Sequence, residues 1–198
     1  MSLDAYEYAR LPGEGALVFA FHGTGGDERQ LVGLAREIWP EAEIVAPRGD
    51  VSERGALRFF RRTGEGMYDF DDLAQRTQAM AGFVGAHARA GRRVIGIGFS
   101  NGANILASVA LAAPGLFDGV ALMHPLIPWR PADDARLTST RMLITAGRRD
   151  PICPPEQTLA LAEFWRRQGA DTMLEWHDGG HELRDSEVEA LRRWSAAG

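Results

Sequence analysis

The 198-residue sequence predicts one α/β domain spanning residues 1–198, a mostly parallel sheet flanked by helices. Short apolar runs alternate with amphipathic stretches from one end to the other, the pattern of stacked β-α units. Most of those runs are continuously apolar, as expected of parallel strands covered on both faces. Hydrophobic residues make up 45% and charged residues 25%, so a buried core is affordable at this length and neither disorder nor a fibrous repeat fits.

Taken in order, the predicted core strands are Ala16 to Phe21, Ile44 to Ala46, Val94 to Gly98, Val120 to Met123, Met142 to Ala146 and Met173 to Trp176. Tyr6 to Arg10 alternates in polarity and reads as an antiparallel edge strand. Leu31, Leu34, Ala35 and Ile38 fall at helical offsets, and Leu73, Met80, Val84 and Ala88 continue one stripe along a longer helix. That longer helix opens with Asp69, Asp71 and Asp72 near its positive end and is expected to close at Gly91. Ser186 and Glu189 fit a capping box ahead of Val188, Leu191 and Trp194, which predicts a final helix. Pro47 to Tyr68 reads as a long irregular connection, a candidate wall of a functional site.

Composition removes several function classes. The net charge is −5 and the densest basic stretch is Arg58-Phe59-Phe60-Arg61-Arg62, so nucleic acid and anionic membrane surfaces are not expected partners. All 22 basic residues are Arg, which excludes chemistry that requires a lysine amine, such as the phosphate-loop GK[ST] motif or a pyridoxal Schiff base. The single Cys153 forbids an intrachain disulfide and a multi-cysteine zinc site. The start Met1-Ser2-Leu3-Asp4 carries neither basic flank nor apolar stretch for export, so a cytoplasmic location is expected.

The chemistry centres on Gly98-Phe99-Ser100-Asn101-Gly102, a G-x-S-x-G pentapeptide that follows the strand Val94 to Gly98 and precedes the helix-compatible Ala103 to Ala107. A sharp strand-to-helix turn projects its serine, and glycines on either side let strand and helix approach. Gly96, Gly98 and Gly102 also approximate a dinucleotide fingerprint, but the third glycine arrives one residue late. A serine hydroxyl needs a base and an acid that orients the base, in the chain order Ser, Asp or Glu, His on this type of sheet. Asp150 and His181 both follow predicted strands at the carboxyl edge, where open α/β sheets place their sites. His177 is the competing base, Asp178 the competing acid, and a His177–His181 metal pair the rival reading of the spacing. Cys153 reads as an inert small residue. The backbone amides of Thr24, in the glycine-rich loop Phe21 to Glu28, and of Asn101 are the expected oxyanion donors, with His22 propping that loop.

His22-Gly23-Thr24-Gly25-Gly26-Asp27-Glu28, Gly98 to Ala103, Gly147-Arg148-Arg149-Asp150-Pro151-Ile152-Cys153-Pro154 and Gly179-Gly180-His181 together resemble the phospholipase/carboxylesterase branch of the α/β-hydrolases over nearly the whole chain. Within it the likeness is to small bacterial carboxylesterases associated with hydroquinone or catechol stress. The resemblance implies a Ser100–Asp150–His181 triad and oxyanion donors at Thr24 and Asn101; no metal and no cofactor are expected. Acyl-protein thioesterases resemble H-G-x-G-D and G-F-S-Q-G, from which this sequence departs. Only about 18 residues, His124 to Arg141, separate two core strands where lidded lipases insert a subdomain, so an open site for small soluble esters is expected. Its candidate walls are Phe59, Phe60, Leu126, Ile127, Trp129 and the Arg58 to Arg62 segment, while His124 either faces the site or caps its strand. A thioesterase, a lysophospholipase, a dienelactone-type hydrolase and a non-catalytic binding protein are the alternative readings, and a homodimer stays open.

Overall fold

A computed structural model describes residues 6–64, 66–88 and 91–197; the Met1 to Asp4 start lies outside them. In chain order the elements are β1 (Tyr8–Leu11), β2 (Leu17–Phe21), α1 (Val32–Ile38), β3 (Glu43–Pro47), β4 (Val51–Glu53), β5 (Ala56–Arg58), β6 (Arg62–Gly64), β7 (Met67–Tyr68), α2 (Phe70–His87), β8 (Val94–Phe99), α3 (Asn101–Ala112), β9 (Gly119–Met123), β10 (Arg141–Gly147), α4 (Pro155–Arg167), β11 (Thr172–His177) and α5 (Asp185–Ala196).

Seven strands form one sheet in the order β1-β3-β2-β8-β9-β10-β11. Only β1 is antiparallel, pairing with β3 along one edge. The inner strands β2, β3, β8 and β9 are apolar enough to be covered on both faces: Val18, Phe19, Phe21, Ile97, Val120 and Leu122 are all fully buried. One apolar layer packs α2, α3 and α4 against the sheet through Phe83, Ile105, Phe164 and Trp165. The other packs α1 and α5 through Ala35, Leu191 and Trp194.

Register sets where a site can form. Phe21 pairs with Gly98, Phe99 with Met123, Met123 with Thr145 and Gly147 with His177, so five parallel strands end side by side. Their carboxyl ends deliver His22, Ser100, His124, Asp150 and the loop after His177 to one rim.

Four expectations change. The segment from Pro47 to Tyr68 is not irregular; it folds into two small hairpins, β4–β5 and β6–β7. α2 ends at His87 because Ala88 is already extended, before Gly91 is reached. Helix α4, absent from the sequence reading, begins with Pro155 in its first turn. Helix α5 is capped at Arg184, whose N–H donates to Glu187 Oε2 at 2.9 Å, rather than by the Ser186–Glu189 pair. Among the described residues no helix is long and apolar enough to cross a membrane.

Candidate active site

Ser100 stands between the end of β8 and the start of α3 with φ 53° and ψ −117°. A non-glycine residue in that region is strained, and the surrounding packing holds it there. A Cβ on Gly98 would lie 2.6 Å from Gly102 O, and one on Gly102 would lie 2.1 Å from Phe21 O. Side chains at either position would force strand and helix apart, so the two glycines permit the turn that lifts Ser100 toward the cleft.

His181 reaches Ser100 from the loop after β11. Its Nε2 lies 2.8 Å from Ser100 Oγ, and its Nδ1 lies 2.7 Å from Asp150 Oδ2. Asp150, in the loop after β10, is almost fully buried and its carboxylate is saturated: Oδ1 accepts from the Ile152 and Cys153 backbone N–H groups at 2.8 and 3.0 Å, while Oδ2 faces His181 and His124. Burial alone would raise the carboxyl's pKa, yet the hydrogen bonds from His124, Cys153 and His181 hold it below the ordinary range. The two loops meet closely; a Cβ on Gly147 would fall 2.1 Å from Gly180 O. Serine, imidazole and carboxylate therefore form the hydrogen-bonded row that the chain order predicts.

Thr24 and Asn101 line the same cleft as Ser100. The Thr24 loop is fixed from below. His22 is buried, its Nδ1–H donates to Gly23 O at 2.7 Å and its Nε2 accepts from Gly49 N at 2.9 Å. Desolvation lowers its pKa, which suits a neutral ring in this bracing place. Gly23 N donates to Gln30 Oε1, Gly25 N to Leu57 O, and Arg58 Nη1 to Thr24 Oγ1 at 2.8 Å. On the other side Phe59 N donates to Asn101 Oδ1 at 2.8 Å, which ties the turn after Ser100 to the β4–β5 hairpin.

The cleft is about 280 Å³, with Arg58, Arg62, Tyr68, Phe99, Leu126, Ile152 and Cys153 completing its walls. Of the expected wall residues, Leu126, Arg58 and Arg62 are in place and five are not. Phe59 and Phe60 turn inward, each no more than 1% exposed, because they pack into the core against Phe21 and Tyr68. Ile127 and Trp129 line a separate cleft of about 490 Å³ against α4 instead. Arg61 points outward and pairs with Asp69. Cys153, expected as an inert small residue, is buried with its Sγ 3.8 Å from His181 Nδ1.

The rival readings are separated by position. His177 faces Glu187, with its Nε2 3.3 Å from Oε2, and takes no part in the Ser100 row. Asp178 is exposed beside Arg148. His177 and His181 therefore serve different partners and do not share a metal. Two compact donor sets exist among the described residues: His124, Asp150 and His181, whose facing atoms are already paired with one another behind Ser100, and His124, His177 and Glu187, which does not suit a metal. Gly179 N–H points at His177 Nδ1 at 2.9 Å, so that ring carries its proton on Nε2, the atom a metal would need.

Two buried residues outside the sequence-based candidates support the site, Asn104 in the cleft wall and Glu187 behind it. Asn104, one turn into α3, accepts from Leu126 N and donates to Tyr68 Oη, both at 2.7 Å, and Tyr68 Oη donates to Leu126 O at 2.8 Å. A buried asparagine within the apolar run Ala103 to Ala107 was the available signal. Glu187 was the other: it lies at offsets 0, 3, 4 and 7 with Ala190, Leu191 and Trp194, a carboxylate on a core-facing stripe.

The sequence profile of the dienelactone hydrolase family matches residues 61–187, a span that contains Ser100, Asp150 and His181. A protein of Bacillus subtilis (strain 168) named "Putative hydrolase MhqD" is 38% identical over 182 residues, 90% of this chain and 91% of that protein. Among solved structures, protein Atu2452 of unknown function from Agrobacterium tumefaciens str. C58 is 49% identical with a TM-score of 0.92, over 100% of this chain and 98% of that one. The Bacillus cereus carboxylesterase is 33% identical, also at 0.92, over 97% and 94% of the two chains. These likenesses agree with the α/β-hydrolase fold and with the resemblance to small bacterial carboxylesterases.

Proposed function

The chain belongs to the dienelactone hydrolase family, and from that premise we propose that it is a serine hydrolase cleaving carboxylic esters of small substrates through an acyl-enzyme. One observation carries the reading: Ser100 Oγ, strained at the turn, lies 2.8 Å from an imidazole nitrogen whose far side is held 2.7 Å from a buried carboxylate. That arrangement serves to activate a weak nucleophile.

In the proposed reaction Ser100 Oγ attacks the ester carbonyl as His181 Nε2 takes its proton. Asp150 keeps the His181 Nδ1–H oriented and offsets the imidazolium charge. In this reading the amides of Thr24 and Asn101, residues that line the cleft with Ser100, hold the oxyanion, an interaction worth roughly 3 kcal/mol per donor in comparable sites. His181 then protonates the leaving alcohol, and a water activated by the same ring releases the acid. The cleft of about 280 Å³ favours small acyl and alcohol groups, which also speaks against the lysophospholipase alternative. A lactone is an ester closed on itself, so the family's name fits the same sequence of steps. A cytoplasmic place of action accompanies this reading.

The test is labelling with a fluorophosphonate followed by peptide mass spectrometry. An adduct on Ser100, abolished by Ser100→Ala together with hydrolysis of p-nitrophenyl acetate, is the expected result. Folded protein that takes no label and turns over no member of an ester, thioester and lactone panel would point to the binding-protein alternative.

A further inference from the structure

The hydrogen bonds do not stop at Asp150. On the side away from the cleft its Oδ2 also meets His124 Nδ1 at 2.7 Å, the same distance as His181. His124 is fully buried just past β9, and its opposite nitrogen Nε2 lies 3.2 Å from Glu187 Oε1 on α5. Glu187 is 1% exposed. Its Oε1 also accepts from Thr145 Oγ1 at 2.5 Å, and its Oε2 accepts from Arg184 N at 2.9 Å and faces His177 Nε2 at 3.3 Å. Two sealed carboxylates thus share three imidazoles, only one of which reaches the cleft.

His124 lies between two carboxylates: each ring nitrogen faces a carboxylate oxygen, and only a ring with both protons donates to both. A neutral ring would instead accept the His177 Nε2 proton across the 3.3 Å between the two Nε2 atoms; two acids against one imidazole favour the protonated ring. His177 has its single proton on Nε2, because Gly179 N–H occupies the Nδ1 lone pair. Burial opposes a charge on His124, but the hydrogen bonds to Glu187 and Asp150 outweigh it and its pKa is raised. For Glu187 the contacts with His124 and Thr145 overcome burial and hold the carboxyl below its ordinary range. The other titratable groups facing His124 are Cys153, whose Sγ donates to His124 O at 3.3 Å, His177 from β11, and His181, whose ring centroid is 5.1 Å away.

We propose that Glu187 is a positioning residue for the reaction: it keeps His124 protonated, and this buried cation, bound to the oxygen that also receives His181, sets how readily His181 takes up the serine proton. The inference deepens the esterase reading and rests on it. With the cation in place, part of the Asp150 charge is spent on His124 and the developing imidazolium at His181 feels a positive neighbour. Without Glu187 the cation is lost, and Asp150 acts on His181 alone.

The test is the pH dependence of kcat/KM for p-nitrophenyl acetate in the wild type, Glu187→Gln, His124→Asn and the double variant. The midpoint of the acid limb is expected to rise in both single variants, by about one pH unit in His124→Asn, a size typical of one charge removed near a titrating group, and by less in Glu187→Gln, where an anion leaves with the cation. It should rise no further in the double variant, since both changes remove the same cation. A purely structural Glu187 would lower the yield of active enzyme and leave the midpoint in place, which overturns the proposal. So does a full second step in the double variant. Nitrogen-15 histidine NMR of the Ser100→Ala protein at pH 7 gives an independent reading if the buried variants fail to fold. Both His124 nitrogens should carry protons, and a neutral His124 ring refutes the role. An active enzyme with a neutral His124 would discard this role alone, whereas an inert protein with a protonated ring would discard the esterase reading and the role with it.

Discussion

Asp150 and Glu187 are the same chemistry in two settings. Both are buried carboxylates, both accept backbone N–H groups, both touch His124, and both are held below the ordinary carboxyl range against the cost of burial. They differ in what lies beyond. Past Asp150 stands His181, part exposed, and then a strained hydroxyl facing a cleft. Past Glu187 stand Thr145 and His177, sealed between β10, β11 and α5. A carboxylate–imidazole pair becomes chemical machinery only where its last member reaches an opening, and the sheet register decides which pair does.

Asp150→Asn should have the largest effect. An amide cannot accept from the two backbone N–H groups on one side and from the two imidazoles on the other, so His181 loses its orientation; in comparable triads this costs about 10⁴-fold in turnover. A loss below tenfold, measured with the ester substrate at the wild-type optimum, would erase the proposed distinction between the two carboxylates. Thr145→Val comes next and addresses only the sealed side. It keeps the side-chain volume but leaves Glu187 Oε1 one donor short, so chemical denaturation should show a loss of about 1–3 kcal/mol. Turnover per labelled Ser100 should fall far less than in Asp150→Asn.

The smallest effect is a pH slope in stability. His124 has a folded pKa above the unfolded value near 6.5, so its contribution is complete below about pH 6.5 and fades as pH climbs through the raised folded value, at no more than about 1.4 kcal/mol per pH unit. Asp150 and Glu187 run the other way. Their folded values are depressed, so their contribution is complete above about pH 4 to 5 and is lost as the pH drops through those depressed values. Urea midpoints recorded from about pH 2 to 9 should therefore decline toward both ends, and Glu187→Gln should flatten the alkaline decline. An alkaline slope identical in that variant would detach His124 from its two acids.

The legible part of the molecule is that which local pattern writes. Continuous apolar runs marked the strands from Ala16 to Trp176, and Gly98 to Gly102 marked the turn, because those features depend on neighbours in sequence. The placement of Asp150 and His181 past strand ends was legible for the same reason. Walls and supports were not. Phe59 and Phe60 read equally well as pocket or core until Phe21 and Tyr68 are seen packed on them. Ile127 and Trp129 follow Leu126 directly, yet the chain turns them toward α4. The role of Glu187 depends on contacts with His124 and Thr145, the latter 42 positions away, which no periodicity reports.

Helix α5 has a consequence for how the molecule comes to life. The second acid of the buried cluster is carried by an element that follows every strand of the sheet, so a nascent chain can have Ser100, Asp150 and His181 already synthesised while His124 still lacks its partner. Pairings of such long reach close late, after the loop entropy between them has been overcome. Maturation of the chemistry should then track the docking of α5, and a released chain ending before residue 187 should lack the influence on His181 proposed for that carboxylate.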